Sequence, residues 1–236
     1  RYGSFKDFAN ALLLGVACLR KPEDFYEVVH DLGDILAADN IRYAEVTWTP
    51  QLYLIRDPQL DELLAALNSA RREIRQRREI EIRWIPDLVR SYPQHAQAIA
   101  TWLSSPAVRD AGVVALGLGG PEAGHPATVF GPAFALARKA GLPANPHAGE
   151  GAGPDSVWET IEQLQPVRIG HGVRSIEDPR LVEYLAAHRI PLEVNITSNI
   201  RLGVFPSYAS HPVKDLIRAG CTVVLNTDDP VLFGTT

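Results

Sequence analysis

Methionine is absent from all 236 residues, and the chain opens on Arg1. A chain of this length ordinarily carries several methionines, so the sequence is expected to be a piece of a longer protein. Cysteine is nearly absent too. Cys18 and Cys221 are isolated thiols with no Cys-x-x-Cys spacing, which excludes a disulfide framework or a thiolate zinc site. Two small buried hydrophobes in a cytoplasmic protein are expected instead. No apolar run approaches the roughly 20 residues that span a bilayer. The apolar residues 11–14 lack a small-residue cleavage site, so neither a membrane anchor nor a signal peptide is expected. Basic charge is in deficit, with 23 Lys and Arg against 28 Asp and Glu, which argues against nucleic acid as a partner. The one basic run, residues 71–78, is interleaved with Glu73 and Ile74 and reads as a solvated helix face. Finally, no Gly-x-Gly-x-x-Gly follows the first expected strand, which weakens a dinucleotide-binding reading.

What is present is a regular alternation. The chain is 46% hydrophobic with no composition break or linker, so one domain over residues 1–236 is expected. Residues 4–39 read as two helices, the first from Phe5, Phe8, Ala9, Leu12 and Leu13, the second from Phe25, Val28, Val29, Leu32, Ile35 and Leu36. Seven β-rich stretches follow: 41–48, 80–85 closed by Pro86, 113–118, a short one into Pro146 and His147, 167–170, 190–195 and 221–226. Helical stretches at 61–78, 95–103, 128–140, 154–164, 179–188 and 213–219 separate them. Strands alternating with helices imply parallel pairing with crossovers. An open doubly wound sheet and a closed (β/α)8 TIM-type barrel both satisfy that pattern.

The chemistry lies just past the strand ends. Asn145-Pro146-His147-Ala148-Gly149-Glu150 offers an imidazole and a carboxylate three residues apart in a small-residue turn. His171, Ser198, Asn199, Asp228 and Asp229 fall just beyond the next three strands. In a barrel these ends converge on one face, where active sites are built. Taken singly, each has a plainer reading: a solvated His-x-x-Glu loop, a loop histidine at 171, a turn at Ser198-Asn199, a helix N-cap at Asp228-Asp229-Pro230. Glu45, inside the first strand, is either paired in the interior or functional. Together, the two histidines and Asp228 offer nitrogen and oxygen ligands suited to Zn²⁺, with Glu150 free for proton transfer.

His-Ala-Gly-Glu at 147–150, Arg-Ile-Gly-His-Gly at 168–172, Thr-Ser-Asn at 197–199 and Asn-Thr-Asp-Asp-Pro at 226–230 resemble, in order, the motifs of the adenosine deaminase family of the amidohydrolase superfamily. Tyr43-Ala44-Glu45 and residues 115–122 resemble two further family segments. The resemblance implies a barrel enzyme that removes the 6-amino group of a purine nucleoside. It implies His147 and Asp228 as zinc ligands, His171 as the group that hydrogen-bonds and helps deprotonate the attacking water, and Glu150 as the donor of a proton to N1. Asp229 would hold N7 and the backbone N–H of Gly120 would meet N3. The family's His-x-His pair, which supplies two further zinc ligands from the first strand, has no counterpart here. His30 lies in a helical pattern, and His125 and His211 lie beside prolines. The first barrel strand is therefore expected to be missing from the given chain. Gly117 and Pro121 stand where the family often has Asp, and Asn195 where it often has Cys, in a region that shapes the substrate pocket. Adenosine is the first expected substrate and an aminodeoxyfutalosine-type nucleoside the second. Free adenine stands third, because Gly170 precedes His171 where adenine-specific members often carry Asp. A relative that binds a nucleoside without metal or catalysis is the reading from another class.

Overall fold

The computed structural model describes residues 5–54 and 60–235. Within them, seven strands pair in parallel and in chain order. They are β1 (Tyr43–Trp48), β2 (Glu81–Val89), β3 (Leu116–Gly119), β4 (Ala144–Ala148), β5 (Ile169–His171), β6 (Leu192–Val194) and β7 (Val223–Leu225). Parallel neighbours need long crossovers, and helices such as Leu60–Arg78, Gly131–Lys139, Pro154–Leu164 and Pro179–His188 provide them. The unbroken order β1 to β7 has no central reversal, which excludes the doubly wound alternative. Arg168, next to β5, reaches Glu45 of β1 with Nη2 at 2.5 Å from Oε2. Such a pairing between strands four apart requires the sheet to curl around its own interior, as in a (β/α)8 barrel one strand short of closure. β1 and β7 form the two outer edges.

The apolar core lies between strands and helices in two clusters. One joins β2, β3 and the start of β4 to the helices Pro22–Ala38, Leu60–Arg78 and Gly131–Lys139; the other joins β5 and β6 to Pro154–Leu164 and Pro179–His188. No helix among the described residues is long and apolar enough to cross a membrane.

Several expectations need correction. β2 does not stop at Pro86 but continues to Val89. Pro86 sits where ladder pairing passes from one neighbour to the other: β1 pairs up to Trp48↔Pro86, and β3 pairs from Asp87↔Gly117. The missing N–H therefore interrupts neither ladder. Of the stretch 113–118, only 116 onward belongs to β3, with Val113 held by a single bridge to Trp84. The buried stripe of helix Pro22–Ala38 is Phe25, Val29, Gly33 and Leu36, leaving Val28 and Ile35 exposed. Leu13 and Leu14 of the first helix are exposed, and so is Cys18 beside them; Cys221 is buried as expected. Arg71 departs from the solvated basic face, being buried with Nη1 2.8 Å from Glu81 Oε1. Residue 4, and the side chain of Phe5, lie outside the described residues.

Candidate active site

Two candidate residues sit on strained backbone. His171 (φ 62°) and Asp228 (φ 60°) are left-handed, a conformation costly for side chains with a Cβ. Among the described residues four other non-glycine residues share it, but Asn40, Glu79, Gln165 and Arg189 each close a helix, where it is routine. His171 and Asp228 instead lie at strand ends, where strain of this kind re-aims a side chain. Both turn toward the barrel mouth: His171 Nε2 lies 3.8 Å from Asp228 Oδ2, and His171 Nδ1 lies 3.6 Å from Glu150 Oε1. One ligand atom from each of Glu150, His171 and Asp228 falls within 4.8 Å of the others.

A hydrogen-bond chain fixes the His171 ring. The Val213 N–H donates to His211 Nδ1 (3.2 Å), which leaves the proton of neutral His211 on Nε2, 3.1 Å from Asn199 Oδ1. Asn199 Nδ2 in turn donates to His171 Nδ1 at 3.1 Å. His171 is thereby held as the Nε2–H tautomer facing Asp228. The Thr-Ser-Asn segment that supplies Asn199 is not a turn but the first part of a short helix, Ile196–Arg201. His211, set aside in the sequence for its flanking prolines, belongs to this chain as a buried support.

His147 is the last residue but one of β4, and its carbonyl accepts from buried Arg90 Nη2 at 2.8 Å, while Arg90 Nη1 holds the carbonyl of His125 at 2.7 Å. Its ring meets that of His171 edge-on, centroids 5.3 Å apart. Gly170, its ladder partner on β5, leaves room for that ring: a Cβ on Gly170 would collide with His147 Cδ2. Glu150 lies in a loop clamped by Glu122, whose carboxylate accepts from the N–H groups of Gly149 (2.6 Å), Glu150 (3.0 Å) and Ala152 (2.9 Å) and from Ser156 Oγ (2.6 Å). Asp229 follows Asp228 at the mouth, and Gly120 (φ 90°) lies exposed on the rim just beyond β3. Asp87, absent from the sequence reading, is buried on β2 with Oδ2 3.7 Å from His147 Nδ1. Glu45, left open in the sequence, is paired across the barrel with Arg168 and, at an exposed edge, with Tyr43 Oη (2.7 Å).

The electrostatics are those of crowded acids. Burial, then Asp228 and Glu122, raises the Glu150 carboxyl well above its usual range. Burial, then Asp229, Glu193 and Asp228, does the same to Asp87. Burial and the adjoining Asp228 push Asp229 up to about 8. His171 is lowered, chiefly by burial, and His147 falls to about 4 through burial and the neighbouring His171. Among the described residues, the ion pairs of Asp87, Glu150 and Asp228 are with histidines alone. Oxygen and imidazole donors with excess negative charge fit a divalent cation, and a bound dication would reverse the upward shifts of the acids while lowering the imidazoles further.

The sequence model described as adenosine deaminase matches residues 1–236. The chain belongs to the adenosine deaminase family. It is 39% identical to the aminodeoxyfutalosine deaminase of Streptomyces avermitilis over 238 residues, covering 99% of this chain and 66% of that protein. The chain thus spans just under two thirds of that relative's length. The crystal structure of adenine deaminase from Arthrobacter aurescens superposes with a TM-score of 0.93 at 27% identity, over 99% of this chain and 71% of that one. An amidohydrolase from Burkholderia ambifaria, solved with bound zinc, superposes with a TM-score of 0.86 at 28% identity, over 92% and 61%.

Proposed function

We propose that this adenosine deaminase family member removes the 6-amino group of an adenine-bearing nucleoside by zinc-dependent hydrolysis, releasing ammonia and the inosine-type product. The observation that carries the reading is the meeting of Glu150, His171 and Asp228 within 4.8 Å at one barrel mouth. His147 and Asp228 are the residues of this chain that would hold the ion. Zinc, when bound, lowers the pKa of its water toward neutrality. The protein's own groups do the rest. Glu150, in its protonated form, gives its proton to ring N1, so that water oxygen bonds to C6 without a full negative charge building on the ring. His171 hydrogen-bonds and orients that water through the nitrogen facing Asp228. Asp229 holds N7, and the Gly120 N–H meets N3. Of the two protons that the water gives up, one passes to the 6-amino group and the other restores Glu150; the C6–N bond breaks and ammonia leaves.

Adenosine is the simplest substrate of this class. The 39% identity to an aminodeoxyfutalosine deaminase supports a second reading, with a bulkier group on the ribose. A test needs the whole protein, zinc analysis, and ammonia release from adenosine, deoxyadenosine, adenine and aminodeoxyfutalosine. Release from a nucleoside by zinc-loaded protein is expected. Less than about a tenth of an equivalent of zinc with no ammonia from any of the four would overturn the proposal in favour of a non-catalytic binder.

A further inference from the structure

Asp87 has an unusual setting. It points from β2 toward the ring of His147 on β4, past the intervening strand β3. Neighbouring strands lie about 4.8 Å apart, so a short side chain bridges that gap only where the middle strand presents no side chain. β3 meets this condition. Gly117 is the ladder partner of Asp87, and a Cβ there would collide with Asp87 Oδ1. On the same face two residues on, a Cβ on Gly119 would stand 2.8 Å from Asp87 Oδ2 and 3.5 Å from His147 Nδ1. The carboxylate is 4% exposed, and its Oδ1 has no hydrogen-bond partner among the described residues. Burying a carboxylate with an idle oxygen is costly and calls for a purpose.

We infer that Asp87, seated on the bare backbone of Gly117 and Gly119, is a positioning residue that accepts a hydrogen bond from His147 Nδ1–H and so turns Nε2 toward the metal. Imidazoles that bind metals generally give their other N–H to a carboxylate or carbonyl, which fixes tautomer and ring orientation. The separation of 3.7 Å lies about 0.5 Å beyond a hydrogen bond, a gap that a small rotation of either side chain closes. His147 Nδ1 meets this carboxylate on one side while Gly170 crowds the Cδ2 edge, so the ring has one orientation available.

The inference rests on the zinc reading above, and its test keeps the two apart. Zinc affinity of the whole protein is measured by competition with a chromogenic chelator for wild type, Asp87→Asn and Gly117→Ala, with the urea midpoint of each metal-free protein alongside. Asp87→Asn keeps the shape but removes the anionic acceptor; Gly117→Ala keeps the carboxylate but evicts it from its seat. Both are expected to weaken zinc about 10- to 100-fold, and Asp87→Asn to do so with no loss of metal-free stability, which a merely structural role would not produce. Wild-type protein without zinc affinity would remove the proposed function and this inference together. Tight zinc in wild type and in Asp87→Asn alike would remove the inference alone.

Discussion

The barrel interior holds two polar layers a few ångströms apart along the same strands, and they are built on opposite principles. In the lower layer, Arg168 binds Glu45 at 2.5 Å and Glu193 at 3.1 Å, and Glu193 accepts from Asn145 Nδ2 at 3.1 Å. In the upper layer, among the described residues, the ion pairs of Asp87, Glu150 and Asp228 are with histidines alone, at 3.6–3.8 Å. β4 carries one member of each layer, Asn145 and His147, two residues apart on one face; β6 and its end do the same with Glu193 and Asn195. The lower layer is the more solvated of the two, but both are built on the same strands, and the difference lies in what neutralises the acids. Below, a guanidinium does so within the fold. Above, the acids stay crowded, and their protons and a cation are the remaining means of neutralisation. Charge satisfied by the chain marks structure here, and charge left unsatisfied marks chemistry.

This contrast can be broken from either side. The largest effect should come from Glu150→Gln, which cannot donate the ring proton: turnover should drop about 10²- to 10⁴-fold with zinc content unchanged. Loss of zinc instead would mean that Glu150 is a ligand. Next comes Arg168→Met in the lower layer, which leaves Glu45 and Glu193 facing each other. A broken buried pair costs about 3–5 kcal/mol; because this one is partly solvated, about 2–3 kcal/mol is expected in urea unfolding of the metal-free protein. An unchanged midpoint would show the lower layer to be dispensable. Glu122→Gln should be milder. Its amide turns a donor toward N–H groups that had an acceptor, at about 1–2 kcal/mol. Looser placement of Glu150 should lower kcat about tenfold with KM little moved, and speed hydrogen exchange at Gly149, Glu150 and Ala152. Equal exchange in both proteins would rule out the clamp.

The last test is a pH slope. A carboxyl raised on folding stabilises the protein fully below its unfolded pKa, near 4, and loses that contribution as pH rises through its folded value. For Asp229 that value is about 8. The histidines act oppositely: His147, lowered to about 4, favours the fold above its unfolded pKa near 6.5 and stops doing so as pH falls toward 4. Asp229→Asn should therefore leave metal-free stability near wild type at pH 4 and raise it at pH 8. Parallel stability curves for the two proteins between these pH values would contradict the shift.

How much of this was legible in the sequence depends on whether a residue acts along the chain or across it. His147, His171 and Asp228 each lie just past an apolar β-rich run, so their common face followed from the strand pattern alone. Asp87 did not, because reading Pro86 as a strand stop ended β2 four residues too early. Arg90, also in the overlooked segment, and Glu122, quoted without a role, act on residues 57 and 27–34 positions away. Such reach leaves no local periodicity. Asn199 was visible but underrated, since its work is to orient His171 from a helix that the sequence had read as a turn.

The left-handed backbone at His171 and Asp228 has a consequence for anyone who evolves this protein in the laboratory. Glycine adopts that conformation without penalty and asparagine at little cost, so a library selected for heat resistance alone is free to discard the native side chains at these two positions. Survivors of such a selection would be sturdier and inert. Sequencing positions 171 and 228 first would separate clones that gained endurance elsewhere from those that traded away their chemistry for it.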